Sequence, residues 1–147
     1  MDSRTSAELV FDQGLGDIFS IRIAGNVINQ GILASAEFGC KVVGAKIIVV
    51  LGHTKCGAIK GSIDNVDLGY LHVITTKVRR CIPQNGSQFA DNIMDIVTKG
   101  NVKLGIDDIR IRSLILNEME YNGEIAIVGG VYDVSSGAVE FFESLTK

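Results

Sequence analysis

Short apolar segments that end at glycine or a polar residue recur along the chain and predict β-strands. They cover residues 18–24, 46–51 and 124–129, followed by a hairpin over residues 131–142. The second segment is almost continuously apolar, which is typical of a parallel strand covered on both faces. The Gly-x-Gly in residues 11–17 precedes a predicted strand, whereas a dinucleotide-binding loop follows one, so we expect a tight turn there.

Between these segments, apolar residues recur at the three- to four-residue spacing of an amphipathic helix. The predicted helices cover residues 30–43, 56–80 with a break near Gly69, 84–103 with an interruption at Gly100, and 107–121. Gly44 fits the end of the first helix, and the carboxylates of Asp107 and Asp108 can cap the last one. Strands that alternate with helices predict an α/β architecture, in which ligands bind at the carboxyl ends of the strands.

Composition narrows the class of protein. The 147 residues are 46% hydrophobic, which predicts one domain over residues 1–147 with its own core. The net charge of −3 argues against nucleic acid as a partner. No apolar run approaches the roughly 18 residues that span a bilayer, so we expect no direct membrane insertion. Three cysteines are too few for a disulfide scaffold and fit a reducing compartment, so we expect a cytoplasmic protein.

Residues 52–57 read Gly-His-Thr-Lys-Cys-Gly and lie between a predicted buried strand and a predicted helix. His53 and Cys56 can therefore present an imidazole nitrogen and a thiolate to one ion, and both are ligands that zinc prefers. A helix N-terminus also lowers the pKa of a cysteine thiol there. Taken alone, the spacing also fits a buried histidine beside a structural cysteine, which is the commoner arrangement.

Residues 2–4 read Asp-Ser-Arg and suggest a second component of a site. Arg4 can pair with Asp2 and keep its carboxylate ionised and oriented. Such a carboxylate can accept a hydrogen bond from a metal-bound water. A solvated charge pair near the terminus is the simpler alternative.

Together these motifs resemble the β-class carbonic anhydrases. The matching segments follow the family's order and cover residues 2–4, 11–17, 22–26, 35–39, 52–57 and 127–133. The resemblance implies an α/β fold with a mostly parallel sheet flanked by helices, and a homo-oligomer, dimeric or tetrameric. The implied activity is a lyase reaction, the reversible hydration of carbon dioxide to bicarbonate.

The resemblance also implies roles for five residues. His53 and Cys56 would bind zinc, Asp2 and Arg4 would form the dyad beside it, and Gly57 would line the substrate pocket. In one branch of the family the aspartate can itself bind zinc and give an inactive state. Asp2 is therefore a conditional metal ligand.

One part of the family pattern lies outside this sequence. The family's first zinc ligand is a cysteine two residues before the dyad aspartate, which here would lie directly before Met1. Cys40 and Cys81 do not replace it by motif and are expected to be structural, and His72 is expected at the surface. We therefore expect reduced zinc affinity and hydratase activity. We also expect a sheet without the family's first central strand, which a neighbouring chain or an upstream segment would fill.

The sequence also leaves open two alternatives to an enzyme, a regulatory module and a zinc-free pseudoenzyme. The chain also resembles the carbonic-anhydrase-like domain that some sulfate-permease-type anion transporters carry, which would make it a regulatory module. A zinc-free pseudoenzyme that serves as an oligomeric scaffold is the other. A related substrate, such as carbonyl sulfide or carbon disulfide, is also open.

Overall fold

The structure is a computed structural model that describes residues 1–84 and 91–142. Its strands are β1 (Ile47–His53), β2 (Ala126–Tyr132) and β3 (Val139–Phe142). Its α-helices are α1 (Ala7–Val10), α2 (Gln30–Glu37), α3 (Gly57–Ile63), α4 (His72–Arg79), α5 (Ile93–Arg112) and α6 (Leu114–Tyr121). No helix within the described ranges has both the length and the apolar character needed to cross a membrane.

The three strands form one mixed sheet in the order β1-β2-β3. Strands β1 and β2 are parallel, with Ile47 opposite Ala126 and His53 opposite Tyr132. Strands β2 and β3 are antiparallel, with Gly129 opposite Phe142. The α/β fold is thus confirmed, and within the described residues one of the two strand pairings is parallel.

The strand predictions hold for three of the four segments. Residues 46–51 and 124–129 correspond to β1 and β2, each of which extends further toward its carboxyl end, and the predicted hairpin is β2–β3. The prediction of a strand over residues 18–24 is wrong, because this segment has no ladder partner among the described residues and leads into a 3₁₀ turn at Ala24–Asn26. Residues 11–17 form turns, as predicted.

The first two helical predictions are confirmed. Helix α2 continues as a π-helical turn over Phe38–Val43, which ends at Gly44 in the left-handed conformation (φ 94°). The predicted 56–80 segment contains α3 and α4, and Gly69, at φ 48°, lies between them.

Helix α5 corrects two predictions, since it runs through both Gly100 and the Asp107–Asp108 pair without a break. Its packing against the sheet outweighs the roughly 1 kcal/mol that a helical glycine costs. The next helix is instead capped by Ser113, whose hydroxyl oxygen accepts a hydrogen bond from the Leu116 N–H at 3.1 Å. Residues 85–90 of the predicted 84–103 helix lie outside the described residues.

Close packing of α5 on the sheet fixes the position of the carboxyl end of β1. A Cβ atom at Gly129 would lie 2.7 Å from Val102 Cγ1, and one at Gly52 would lie 2.8 Å from Val102 Cγ2. Val102 is fully buried in the larger of two hydrophobic clusters. The absence of side chains at these two glycines therefore lets α5 lie directly on β1 and β2.

A cleft of about 940 Å³ borders the free edge of β1. Its walls are residues 17–28 on one side and residues 43–53 on the other. Apolar side chains face it while partly open to solvent, including Phe19 and Ile47, which are 60% and 62% exposed. The described residues thus leave a gap beside β1, as expected for a sheet without the family's first central strand.

Candidate active site

The candidate site lies at the carboxyl end of β1, where the cleft meets α3. His53 is the last residue of β1, Cys56 precedes the first turn of α3, and Gly57 begins that helix. Between them, Lys55 adopts the left-handed conformation (φ 55°), which turns the chain sharply. The N-terminal segment lies against this turn, and Asp2 Oδ2 is 3.9 Å from His53 Nε2.

The imidazole of His53 is held in one orientation by the backbone. Its Nδ1 lies 3.0 Å from the Thr54 carbonyl oxygen, which can only accept a hydrogen bond. The neutral ring therefore carries its hydrogen on Nδ1 and a lone pair on Nε2. A hydrogen bond with Cys56 raises the pKa of His53, although burial opposes that shift.

The thiol of Cys56 differs from the other two thiols of the chain. Burial disfavours its ionisation, but the hydrogen bond with His53 and the N–H groups of Ile59 and Ala58 outweigh burial and lower its pKa. Burial raises the pKa of the Cys40 and Cys81 thiols. Cys56 is therefore the cysteine most readily converted to a thiolate.

Asp2 is paired with Arg4, as predicted. Arg4 Nε donates to Asp2 Oδ1 at 2.8 Å, and Arg4 Nη2 donates to Asp2 Oδ2 at 2.7 Å. These bonds, with the Arg4 backbone N–H, hold the pKa of Asp2 well below its ordinary value. The carboxylate of Asp2 stays ionised, and its hydrogen bonds with Arg4 hold it beside His53.

The structure brings all five predicted site residues to one end of the cleft. Asp2, His53, Cys56 and Gly57 line it, and Arg4 lies behind Asp2. The residues expected outside the site are not next to Asp2 and His53. Cys40 is buried in the same cluster as Val102 and lines the cleft, and His72 begins α4. Cys81 packs against a smaller hydrophobic cluster that includes Cys56.

Several polar side chains around the site have no role among the predictions from the sequence. Arg22 Nη2 donates to the Asp2 carbonyl oxygen at 2.5 Å, and Thr54 donates to Asp133 at 3.2 Å. Arg22 and Thr54 lie inside the matched motifs, so their positions were visible in the sequence. Asp2 and Asp133, the residues they contact, are distant along the chain, so these two contacts can be seen only in the structure.

Comparison with known proteins identifies the family. The carbonic anhydrase of Mycolicibacterium smegmatis is 36% identical over 143 residues, covering 95% of this chain and 69% of that protein. Carbonic anhydrase 2 of Mycobacterium tuberculosis is 35% identical over 140 residues, covering 92% of this chain and 68% of that one. A family model described as carbonic anhydrase matches residues 1–139. The chain belongs to the β-carbonic anhydrase family.

The fold comparison agrees with this assignment. The crystal structure of the β-carbonic anhydrase CafA of Aspergillus fumigatus superposes with a TM-score of 0.84 at 29% identity, covering 97% of this chain and 71% of that one. As a member of the β-carbonic anhydrases, the chain falls in a family of lyases whose reaction is the hydration of carbon dioxide.

The donors of this β-carbonic anhydrase chain suit a zinc ion. A neutral imidazole nitrogen and a thiolate are preferred zinc ligands, and the hydrogen bond from Nδ1 to a carbonyl is the usual way to orient a ligating histidine. Within residues 1–84 and 91–142, no group of three or more His, Cys, Asp or Glu side chains is arranged to hold a metal ion. The described residues thus offer two adjacent donors, with the Asp2 carboxylate 3.9 Å from His53 Nε2.

Proposed function

We propose that this β-carbonic anhydrase catalyses the reversible hydration of carbon dioxide to bicarbonate, using a zinc ion held by His53 and Cys56. The observation that carries the proposal is the orientation of His53, whose Nδ1 is committed to the Thr54 carbonyl while Nε2 faces Asp2. The thiol of Cys56, with its lowered pKa, shares a hydrogen bond with the same ring.

A bound zinc ion supplies Lewis acidity, which lowers the pKa of water to about 7. Asp2 would accept a hydrogen bond from a water held there, because an ionised carboxylate is an acceptor, and would so orient the water toward the substrate. Arg4 keeps Asp2 ionised and limits its rotation through two hydrogen bonds. His53 and Cys56 must present an unprotonated nitrogen and a thiolate, so zinc uptake releases protons.

Gly57 is proposed to line the pocket for carbon dioxide. Among the described residues, and apart from the chain neighbours and the backbone of its own helix, no atom lies within 4 Å of the position that a Cβ atom would take at Gly57, and the residue lines the cleft beside Cys56. A small linear substrate can approach the backbone there, because no side chain stands in the way.

We further propose that the 147-residue chain has reduced zinc affinity and reduced hydratase activity. His53 and Cys56 supply two of the four positions of a tetrahedral site. Asp2 could supply a third, but its carboxylate already accepts two hydrogen bonds from the Arg4 guanidinium, which would compete with the metal for the same oxygens. Without Asp2 the zinc site would lack a third protein ligand. With Asp2 as the ligand, its carboxylate would no longer be free to orient a water, so the reaction would be weakened in both cases.

Stopped-flow measurement of carbon dioxide hydration by the zinc-loaded protein tests the proposal. We expect catalysis above the buffer rate, lost in Cys56→Ser and retained in the matched Cys81→Ser variant. Hydration by Cys56→Ser at the wild-type rate would refute the assignment of Cys56. A wild-type rate of about 10⁶ s⁻¹, as zinc hydroxide reaches in efficient carbonic anhydrases, would refute the reduced activity.

We infer that the chain acts as a dimer or tetramer in the cytoplasm. Large apolar side chains remain open to solvent, including Val42, Ile111 and Leu114 at 69%, 76% and 83% exposed, and a second copy could cover them. All three cysteines are free thiols, which supports a reducing compartment. Light scattering on the purified protein checks the oligomer, and a monomer at micromolar concentration would contradict it.

A further inference from the structure

The connection between β2 and β3 reaches back over the loop that follows β1. Asp133 begins this connection, and its Oδ1 accepts hydrogen bonds from the Thr54 hydroxyl at 3.2 Å and the Ser135 N–H at 2.8 Å. The Thr54 hydroxyl oxygen in turn accepts the Val134 N–H at 3.1 Å. The hydroxyl of Thr54 is therefore fixed by two partners on the same hairpin, 79 and 80 residues away along the chain.

The backbone of Thr54 connects this hairpin with His53. The Thr54 N–H donates to the Tyr132 carbonyl at 2.9 Å, which extends the parallel ladder by one residue beyond β1. The Thr54 carbonyl oxygen is the group that accepts from His53 Nδ1. The N–H bond holds the backbone of Thr54 and the hydroxyl bonds hold its side chain against the hairpin, so the carbonyl that meets His53 belongs to a residue anchored at both places.

A parallel set of contacts ties the next residue to the same hairpin. Lys55 Nζ lies 2.9 Å from Ser135 Oγ, and the Lys55 carbonyl oxygen accepts from Arg4 Nη2 at 3.3 Å. Lys55 has a left-handed backbone, a conformation that costs roughly 1 kcal/mol or more outside glycine and so needs support from its surroundings. The hairpin therefore supports both peptide groups that face His53 and Arg4.

We propose that Thr54 and Asp133 are positioning residues for His53, with the Thr54 hydroxyl locking the carbonyl that sets the orientation and tautomer of the imidazole. Neither side chain is placed to touch the reacting atoms. The expected effect on zinc affinity rests on the proposed function, whereas the expected effect on the His53 tautomer does not. Groups that orient a ligating histidine typically change metal affinity by about 10- to 100-fold when they are removed.

Two substitutions at Thr54 separate the effect of the hydroxyl group from the effect of the side chain's shape. Thr54→Val keeps the shape of the side chain but removes the hydroxyl, and Thr54→Ser keeps the hydroxyl. Asp133→Ala and Asp133→Asn form a second pair, in which the asparagine retains an acceptor oxygen for Thr54. The second pair keeps the proposal testable if Thr54→Val does not fold, which circular dichroism shows.

Nitrogen-15 NMR of the metal-free protein, at a pH where both imidazoles are neutral, reads the tautomer directly. The chain has two histidines, and His72, whose Nδ1 lies 2.6 Å from the Gly69 carbonyl oxygen, serves as the internal control. We expect His53 to carry its hydrogen on Nδ1 in wild type, Thr54→Ser and Asp133→Asn. In Thr54→Val and Asp133→Ala we expect a mixture of tautomers at His53 and no change at His72.

Zinc affinity, measured by competition with a chromogenic chelator, is the second readout. We expect a loss of about 10-fold or more in Thr54→Val and wild-type affinity in Thr54→Ser. An unchanged His53 tautomer in both Thr54→Val and Asp133→Ala would overturn the proposal. If wild type bound no zinc while Thr54→Val still altered the His53 tautomer, the proposed function would fail and the positioning role would stand.

Discussion

The carboxylate of Asp2 and the guanidinium of Arg4 meet in two nearly equal hydrogen bonds, of 2.8 Å and 2.7 Å. The Arg4 backbone N–H adds a third bond to Asp2 Oδ1 at 3.0 Å. This pairing orients one carboxylate edge-on to a guanidinium and leaves Asp2 Oδ2 within 3.9 Å of His53. It therefore determines both the charge of Asp2 and its distance from the candidate metal site.

Replacing Arg4 should change how stability depends on pH. The pKa of Asp2 is depressed in the folded chain relative to an ordinary value of 3.8, so its contribution is present above about pH 4 and is lost as the pH falls. We expect wild type to lose more stability than Arg4→Gln between pH 5 and pH 3. Urea unfolding at the two pH values measures the difference, and Arg80→Gln is the control. Equal losses in wild type and Arg4→Gln would show that the pair does not hold the pKa of Asp2 down.

A methyl group at Gly57 should separate activity from stability. A Cβ atom at Gly57 would meet no other element of the described structure, and alanine favours a helix over glycine, so stability should be unchanged or slightly higher. We expect the carbon dioxide hydration rate to fall, because the methyl group enters the proposed pocket. Gly61→Ala in the same helix, where the new Cβ would lie 3.8 Å from Val66, is the matched control. The pocket assignment fails if both variants hydrate carbon dioxide equally fast.

We expect any side chain at position 129 to destabilise the fold through crowding, without a direct effect on the reaction. A Cβ atom there would lie 2.7 Å from Val102 Cγ1 and 2.8 Å from Ile106 Cδ1. We expect Gly129→Ala to lower the free energy of unfolding by about 1–3 kcal/mol, as overpacked cores do. In a Val102→Ala background the same change should cost less, because the contact with Val102 is relieved while that with Ile106 remains. Urea denaturation of the four proteins measures this coupling, and simple additivity would contradict it.

Adding a cysteine directly before Met1 should strengthen zinc binding by the 147-residue chain. Cysteine there would stand two residues before Asp2, as in the family motif. We expect the extended chain to bind zinc at least about 10-fold more tightly than the 147-residue chain, because a second thiolate adds a preferred ligand and neutralises the site. An added serine is the control. Equal zinc affinities for the cysteine and serine extensions would indicate that the ligand set is different.

Much of the candidate site could be predicted from the sequence, because its functional residues lie in short segments. The spacing of His53 and Cys56 after an apolar strand, and of Asp2 and Arg4, needed no long-range information. The contacts of Thr54 with Asp133 and of Arg22 with Asp2 depend on how distant segments meet, so they could not be derived from spacing.

The fold errors have physical causes of the same kind. Gly100 and Asp107 look like a helix break and a helix cap, yet tertiary packing keeps α5 continuous through both. Residues 18–24 have strand composition, but a strand forms only beside a partner, and the cleft separates them from β1.

Zinc-edge anomalous diffraction from crystals of the zinc-loaded protein tests the central claim most directly. We predict one anomalous peak with zinc about 2.0–2.1 Å from His53 Nε2 and about 2.3 Å from Cys56 Sγ. A peak bound to Cys40, Cys81 or His72 instead, or no peak at His53 and Cys56 in zinc-loaded crystals, would contradict the account.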